Sequence, residues 1–193
     1  PQAVMLHVNV GTANAVCGLF NAARDNIPIL LFAGRTPITE DDNIGARNVF
    51  IHWGQEMFDQ GGMVREAVKW DYELRNGEQV ETVVDRALSV MMSDPKGPAY
   101  LDLPREVLAI EMDEVTFDSP GRIQPASASN PNAAALDEAA SVLAKAENPV
   151  IITNWGGRNP KVMPALVELA ENYAIPVVEY RNRFVAMPRH HPM

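Results

Sequence analysis

Two apolar runs near the start of the chain, residues 3–8 and 27–33, constrain the fold more than any other feature. Each run is continuous rather than alternating, which is typical of strands buried on both faces of a parallel sheet. The apolar residues between the runs recur at helical spacing: Val16, Leu19, Phe20 and Ala23. A strand, a helix and a second strand in this order form a right-handed crossover. The sequence therefore predicts an α/β fold with a parallel sheet and helices on both faces.

The segment between the first strand and the helix is rich in small residues. Residues 9–14 read Asn-Val-Gly-Thr-Ala-Asn, and we predict a glycine turn here that leads from the strand into the helix. Open α/β sheets bind ligands at the carboxyl ends of their strands, so this turn is a candidate ligand site. His7 ends the same strand, and it is either a core histidine, the interpretation we favour, or a side chain that contacts the ligand.

Composition excludes several classes of protein. The chain has 193 residues and a formal net charge of -9, and the positive field that nucleic acid or an anionic membrane would require is missing. No apolar run approaches the roughly 20 residues of a membrane span. The single cysteine, Cys17, cannot form an internal disulfide and is expected to be buried. The adjacent residues His190 and His191 would point to opposite faces of a strand, so we predict no metal site there. An acidic cytoplasmic protein is the simplest interpretation.

The rest of the first predicted domain, residues 1–110, contains a long polar excursion and two further strands. Residues 34–62 show no regular period and are predicted to form loops with short helical pieces. Ordered loops of this length are usually functional. Strands are predicted over residues 69–74 and 99–104, with an amphipathic helix between them that starts near Gly77.

A shift to Ser, Pro, Ala, Asn and Gly marks a predicted linker over residues 111–131. Asn130-Pro131 and Asn159-Pro160 each place a capping side chain before a proline that suits the first helical turn, so each pair is predicted to open a helix. Strands are predicted to follow these helices over residues 149–153 and 175–180. The second domain, residues 132–193, is thus a partial, Rossmann-like αβαβ unit.

The order of these segments resembles one enzyme superfamily. Residues 8–14, followed by Asn-Ala-Ala-Arg-Asp-Asn-Ile-Pro at 21–28, resemble the second half of the pyrimidine-binding domain of thiamine-diphosphate enzymes of the acetolactate synthase and benzoylformate decarboxylase group. Residues 1–110 would accordingly be the C-terminal part of that domain. Three later segments match this family in the same order: residues 65–72, residues 97–104 (Gly-Pro-Ala-Tyr-Leu-Asp-Leu-Pro) and residues 148–157. The last of these resembles the opening strand of the family's central domain, and the resemblance spans nearly the whole chain.

The resemblance implies cofactor contacts at particular positions. Gly11 and Asn14 fall on family residues beside the aminopyrimidine end of thiamine diphosphate, and Gln55, with Glu56, resembles a pair near cofactor and substrate. Gly156 and Gly157 fall where some relatives bind FAD or ADP. This chain differs from the family at three of the neighbouring positions, with Asn9 and Trp155 in place of glycines and Val10 in place of a proline. Two structural alternatives stay open: Asn14 as a local cap, and Gln55 at the start of a surface helix.

The resemblance further implies that the chain is a fragment of a larger enzyme. In relatives, the glutamate that activates the aminopyrimidine would precede Pro1, and the motif for magnesium and the diphosphate would follow Met193. We therefore expect no catalytic residue in the chain, weak cofactor binding and no turnover by the fragment alone. The parent enzyme, a homodimer or tetramer with thiamine diphosphate and magnesium, would decarboxylate a small 2-keto acid, perform carboligation, or both. The alternatives are a noncatalytic FAD- or ADP-binding α/β module and a structural domain for subunit assembly.

Overall fold

The computed structural model describes residues 1–115, 117, 121, 123–181 and 183–193. Two compact units are present, Pro1–Ala128 and Ser129–Met193, and the division lies within the predicted linker. Part of that linker is anchored to the first unit, because the Ser89 hydroxyl donates to the Gln124 carbonyl at 2.9 Å and the Ala126 N–H donates to the Ser93 hydroxyl at 2.9 Å. Residues 116, 118–120 and 122 of the predicted linker lie outside the described residues.

The described part of the first unit contains a four-stranded parallel sheet with the strand order β1-β2-β4-β3. The strands are β1 (Gln2–Leu6), β2 (Ile29–Arg35), β3 (Trp70–Glu73) and β4 (Ala99–Pro104). Ala33 of β2 pairs with Leu6 and with Asp102, and Asp102 pairs with Glu73. The carboxyl ends of these strands therefore meet at one edge of the sheet.

Two hydrophobic cores form on opposite faces of this sheet, because side chains alternate along each strand. On one face, Leu30 and Leu101 pack with Val83, Ala87 and Met91 of α3 (Val80–Met92). On the other face the core contains Leu31, Ala33 and Tyr100 from the strands, Leu19 from α1 (Val8–Arg24), and Val64 and Ala67 from the segment just after the excursion. The predicted α/β fold with helices on both faces is confirmed.

The excursion after β2 carries only short helices. These are α2 (Ile51–Gly54) and, at its end, the 3-10 helix Gly61–Met63. Two further 3-10 helices follow the excursion, Arg65–Ala67 and Gly77–Gln79, and the second of them leads into α3. The start of the excursion is tied to α4 (Arg105–Leu108), where the Glu106 carboxylate accepts a hydrogen bond from the Thr39 N–H at 2.7 Å. This contact holds the start of the excursion beside the carboxyl end of β4.

The second unit has the predicted αβαβ order. Its elements are α5 (Ala133–Lys145), β5 (Ile151–Thr153), the 3-10 helix Gly156–Arg158, α6 (Val162–Tyr173) and β6 (Val177–Glu179), with β5 and β6 parallel. The predicted helix starts are wrong by two residues. Asn132 caps α5 by accepting from the Ala135 N–H at 3.2 Å, and α6 begins only at Val162, where the backbone N–H donates to the Asn159 carbonyl at 2.9 Å. Both prolines consequently lie before their helices.

Candidate functional site

The turn between β1 and α1 lies at His7 and Val8, so the predicted glycine turn is wrong. His7 has an extended backbone and Val8 has a left-handed φ of 41°, which reverses the chain three residues before the glycine. Gly11 lies in the first turn of α1, where its N–H donates to the His7 carbonyl at 2.8 Å. A Cβ at Gly11 would lie 3.1 Å from the Leu6 Cβ. The glycine thus lets the helix approach the strand that precedes it.

Three side chains around this turn are exposed. His7 is not in the core, because β1 ends at Leu6 and His7 takes the N-cap position instead. Cys17 is exposed as well, contrary to prediction, because the buried side of α1 passes through Thr12 and Leu19. Asn14 is exposed, and its Nδ2 donates to the Val10 carbonyl at 2.9 Å. Cofactor contacts at Gly11, Asn14 and His7 remain predictions.

A buried polar cluster lies directly behind the first turn of α1. It consists of Thr12, Gln60, Tyr100 and Asp102, none more than 5% exposed. The Tyr100 hydroxyl lies 2.9 Å from the Thr12 hydroxyl and donates to Asp102 Oδ1 at 2.7 Å. Gln60 Nε2 lies 2.8 Å from Asp102 Oδ1, 3.0 Å from the Tyr100 hydroxyl and 3.0 Å from the carbonyl oxygen of Gly34. The cluster therefore connects the excursion, the sheet and α1.

Burial dominates the acidity of the cluster. It raises the pKa of Asp102 to about 6, against the hydrogen bonds from Tyr100 and Gln60 that favour the carboxylate. Burial also raises the pKa of the Tyr100 hydroxyl. Our sequence interpretation did not include this cluster. The signal was two polar residues at alternate positions, 100 and 102, in the strand predicted over residues 99–104.

An ion-pair network covers the same edge of the sheet. Arg35, at the end of β2, pairs with Glu73 at the end of β3 and lies 3.5 Å from Glu56. Glu56 also pairs with Arg47 of the excursion. Gln55 is half-buried and follows the last residue of α2, so it ends a short helix and does not begin one. Its predicted contact with a cofactor remains a prediction.

A polar cavity of about 330 Å³ opens beside this network. Arg35, Gln60, Glu73 and Asp102 belong to its wall, together with other charged side chains: Asp59, Arg65, Asp71 and Arg75. Arg65 donates to Asp59 at 2.6 Å and to Asp71 at 2.9 Å, and the hydrogen bond from Arg65 helps to hold the pKa of Asp59 below its usual value. Among the described residues, no group of three or more His, Cys, Asp or Glu side chains is arranged to hold a metal ion.

Gly156 and Gly157 follow β5, but the chain itself fills the space beside them. A Cβ at Gly157 would lie 1.9 Å from the Val185 carbonyl oxygen, and one at Gly156 would lie 3.2 Å from the Ala186 Cβ. These glycines permit close packing of the segment at 185–186. The side that lacks a Cβ is therefore closed to a nucleotide, and the geometry does not favour the FAD- or ADP-binding alternative.

Comparison with known proteins gives matches in both units. The family described as "Thiamine pyrophosphate enzyme, N-terminal TPP binding domain" matches residues 1–63, and the "Thiamine pyrophosphate enzyme, central domain" matches residues 136–193.

Among the helices that the structure describes, none combines the length and apolar character of a membrane span.

Individual relatives align along nearly the whole chain. The acetolactate synthase large subunit of Lactococcus lactis subsp. lactis is 24% identical over 186 residues, which is 95% of this chain and 30% of that protein. The sulfoacetaldehyde acetyltransferase of Rhodobacter capsulatus is 29% identical over 183 residues, which is 95% of this chain and 29% of that protein. The chain thus spans about 30% of the length of these curated relatives.

The fold matches as well. The structure of the thiamine diphosphate-dependent 4-hydroxybenzoylformate decarboxylase of Rhodococcus jostii RHA1 superposes with a TM-score of 0.75 at 24% identity, covering 98% of this chain and 34% of that one. Two matched domains in the expected order, a shared fold and relatives aligned over 95% of the sequence agree with one another. The chain belongs to the thiamine-diphosphate-dependent enzyme superfamily.

Proposed function

We propose that this chain forms the wall of a thiamine diphosphate site that contacts the aminopyrimidine end of the cofactor. The observation that carries the proposal is the start of α1, where the side chains of Val10 and Asn14 are exposed just after the carboxyl end of β1, inside the segment similar to the TPP-binding domain. The side-chain amide of Asn14 can both donate and accept hydrogen bonds. It therefore complements the aminopyrimidine ring, whose amino group donates and whose ring nitrogen accepts. The exposed side chain of Val10 offers an apolar contact one helical turn away.

The reaction we propose is decarboxylation of a small 2-keto acid, carboligation, or both. Its support is the acetolactate synthase and acetyltransferase activities that the names of the relatives state. When bound, thiamine diphosphate supplies the carbon nucleophile and the electron sink for breaking or forming a bond next to a carbonyl. The role of Asn14 and Gly11 is to orient the pyrimidine ring, and we assign no proton transfer to them.

In this proposal, groups outside the described residues bind the diphosphate and its magnesium ion, and the activating glutamate is also one of those groups. Magnesium in such sites is held by oxygen ligands and by substrate phosphates. Since the chain would contact only the ring, we expect weak binding and no turnover of pyruvate, a representative 2-keto acid, by this chain alone.

We also propose that the complete site is assembled in a homodimer or tetramer in the cytoplasm. Ile44, Phe50 and Phe58 of the excursion are at least 80% exposed. Contiguous exposed apolar patches are typical of surfaces that a partner covers, and in our proposal these three side chains belong to such a patch. The resemblance implies that the cofactor lies between subunits, which is consistent with such a surface.

The test is an NMR titration of the isotope-labelled chain with thiamine diphosphate and magnesium, followed at each backbone amide. We expect amide shifts at Gly11 and Asn14 at millimolar ligand, and no saturation at micromolar concentrations. Asn14→Ala should weaken the shifts, whereas Asn21→Ala, also exposed on α1, should leave them unchanged.

A parallel titration with ADP separates the alternatives. Shifts confined to the region of Gly156 and Gly157, with none at residues 9–14, would contradict the proposal and favour a nucleotide-binding module. Micromolar affinity for thiamine diphosphate would contradict our assignment of the diphosphate anchor to other groups.

A further inference from the structure

The buried polar cluster contains a linear chain of hydrogen bonds. The chain runs from the Val8 carbonyl to the Thr12 hydroxyl over 2.9 Å, to the Tyr100 hydroxyl over 2.9 Å, and to Asp102 Oδ1 over 2.7 Å. Gln60 Nε2 lies beside this chain and shares its two hydrogens among three acceptors: the Tyr100 hydroxyl, Asp102 Oδ1 and the Gly34 carbonyl. Because Gln60 contributes its own hydrogens, it does not change the count along the chain.

The number of hydrogens in this chain depends on the protonation of Asp102. Each hydroxyl provides one hydrogen, while the Val8 carbonyl and an ionised Asp102 only accept. When Asp102 is ionised, two hydrogens serve three links, and one link is left without a hydrogen. When Asp102 is protonated on Oδ1, the three links have three hydrogens, all directed from Asp102 towards Val8.

The link that is lost on ionisation lies on the α1 side. A hydrogen bond from Tyr100 to an ionised carboxylate is about twice as strong as one between neutral groups, so Tyr100 keeps its hydrogen on Asp102. Thr12 then donates either to Tyr100 or to the Val8 carbonyl, but not to both. Val8 has φ 41°, which is unusual for a β-branched residue, so its conformation depends on its surroundings.

We propose that Tyr100 and Thr12 transmit the protonation state of Asp102 to the first turn of α1, so that proton uptake by Asp102 tightens the helix start at Val8. Tyr100 and Thr12 are positioning residues in this proposal. Gly11 lies in the affected turn, and Asn14 lies in the next turn of α1. A consequence for cofactor binding rests on the proposed function, whereas the proton linkage itself does not.

Other charged groups act on Asp102 from the elements packed around it. These groups line the same cavity as Asp102: Arg35 from β2, Asp71 and Glu73 from β3, Arg65 from the neighbouring 3-10 helix, and Asp59 and Arg75. Glu73 favours the protonated form of Asp102, and Arg35 favours the carboxylate. Arg35 pairs with Glu73, and Arg65 pairs with Asp59 and Asp71, so opposite charges largely offset one another.

The test is an NMR pH titration of the chain between pH 4.5 and 7.5, with no cofactor present. The signals followed are the Asp102 carboxyl carbon, the Thr12 methyl group and the backbone amides at 8–12. We expect all of them to shift with one common midpoint in the wild type. Asp102→Asn should abolish the common transition.

Two further variants test the route of transmission. Tyr100→Phe and Thr12→Val should each remove the pH-dependent shift of the amides at 8–12 while Asp102 still titrates. Thr12→Ser keeps the hydroxyl and should restore the shift. Tyr72→Phe, on the adjacent strand β3 but outside the hydrogen-bond chain, is the matched control and should behave as the wild type.

The outcomes that would overturn the proposal are distinct. One is a wild-type chain in which Asp102 titrates while residues 8–12 do not respond, or in which Asp102 does not titrate. The other is an amide transition that persists in Tyr100→Phe or Thr12→Val. Because Thr12→Val and Thr12→Ser differ only at position 12, comparing them gives a decision even if Tyr100→Phe has a folding defect.

Discussion

At the scale of single residues, the site is determined by side chains that the structure brings together from distant parts of the sequence. Thr12, Gln60 and Tyr100 share hydrogen bonds although they are separated by 40 to 88 positions. Gly11, by contrast, acts locally, since its missing side chain makes room for Leu6. Gly11 therefore indicates close packing between a helix and a strand, and it does not mark a turn.

Gly11 and Gly18 offer a matched test within α1. Alanine in a helix interior is favoured over glycine by about 1 kcal/mol, and a Cβ at Gly18 would meet nothing within 4 Å. We expect Gly18→Ala to raise the free energy of unfolding by about 0.5–1 kcal/mol. Gly11→Ala should gain less or lose stability, because its Cβ would crowd Leu6. Chemical denaturation measures both, and equal gains would contradict the packing role of Gly11.

Asp102 is predicted to make stability depend on pH. Its pKa is about 6 in the folded state and about 3.9 in an unfolded chain, so the folded state binds more protons between these values. Its contribution to stability is therefore fully present below pH about 4 and is lost as pH rises through about 6. A difference of two pKa units corresponds to about 3 kcal/mol.

Asp102→Asn should remove this slope. The measurement is the free energy of unfolding from pH 4 to 7 for the wild type and the variant, with the exposed Asp113→Asn as the control. A variant whose stability falls with pH over this window as steeply as that of the wild type would show that Asp102 is not the group responsible.

At the scale of elements, helix α3 shows how a sequence pattern becomes a core contact. Val83, Ala87 and Met91 are spaced by four residues, so they lie on one side of the helix, and each is buried against the sheet. This pattern was visible in the sequence. The start of α1 and the caps of α5 and α6 were predicted less well, because helix ends depend on individual backbone and side-chain hydrogen bonds.

A pair of methionines tests the contribution of this core. Met91 is fully buried in α3, and Met5 of β1 is 74% exposed. Met91→Ala should lower the free energy of unfolding by about 2–5 kcal/mol, as expected for a large buried side chain. Met5→Ala should change it by less than about 0.5 kcal/mol. Thermal denaturation followed by circular dichroism is the measurement, and equal effects would contradict the assigned core.

At the scale of the whole molecule, the two units differ in how much structure they contain. Both hydrophobic cores described above lie within Pro1–Ala128, around a sheet of four strands. The described part of Ser129–Met193 has a two-stranded sheet, and two strands alone are marginally stable in water. The chain nevertheless aligns with its relatives across both units.

The units are therefore predicted to differ when they are prepared separately. Residues 1–128 should unfold cooperatively with heat and keep near-ultraviolet circular dichroism, because both hydrophobic cores lie within them. Residues 129–193 should show a broad transition or none. A sharp transition for the second segment, or none for the first, would contradict this assignment.

The sequence by itself determined the class of fold, the order of the elements and the superfamily. These properties follow from hydrophobic periodicity and from short motifs in a particular order, which are local and survive in a one-dimensional pattern. Only the tertiary structure decided that Gly11 lies within a helix, that His7 and Cys17 are exposed, and that Gly156 and Gly157 are covered by residues 185–186. The buried cluster of Thr12, Gln60, Tyr100 and Asp102 likewise depended on the tertiary structure. Its hydrogen bonds join atoms that only strand register and helix packing bring within 3 Å.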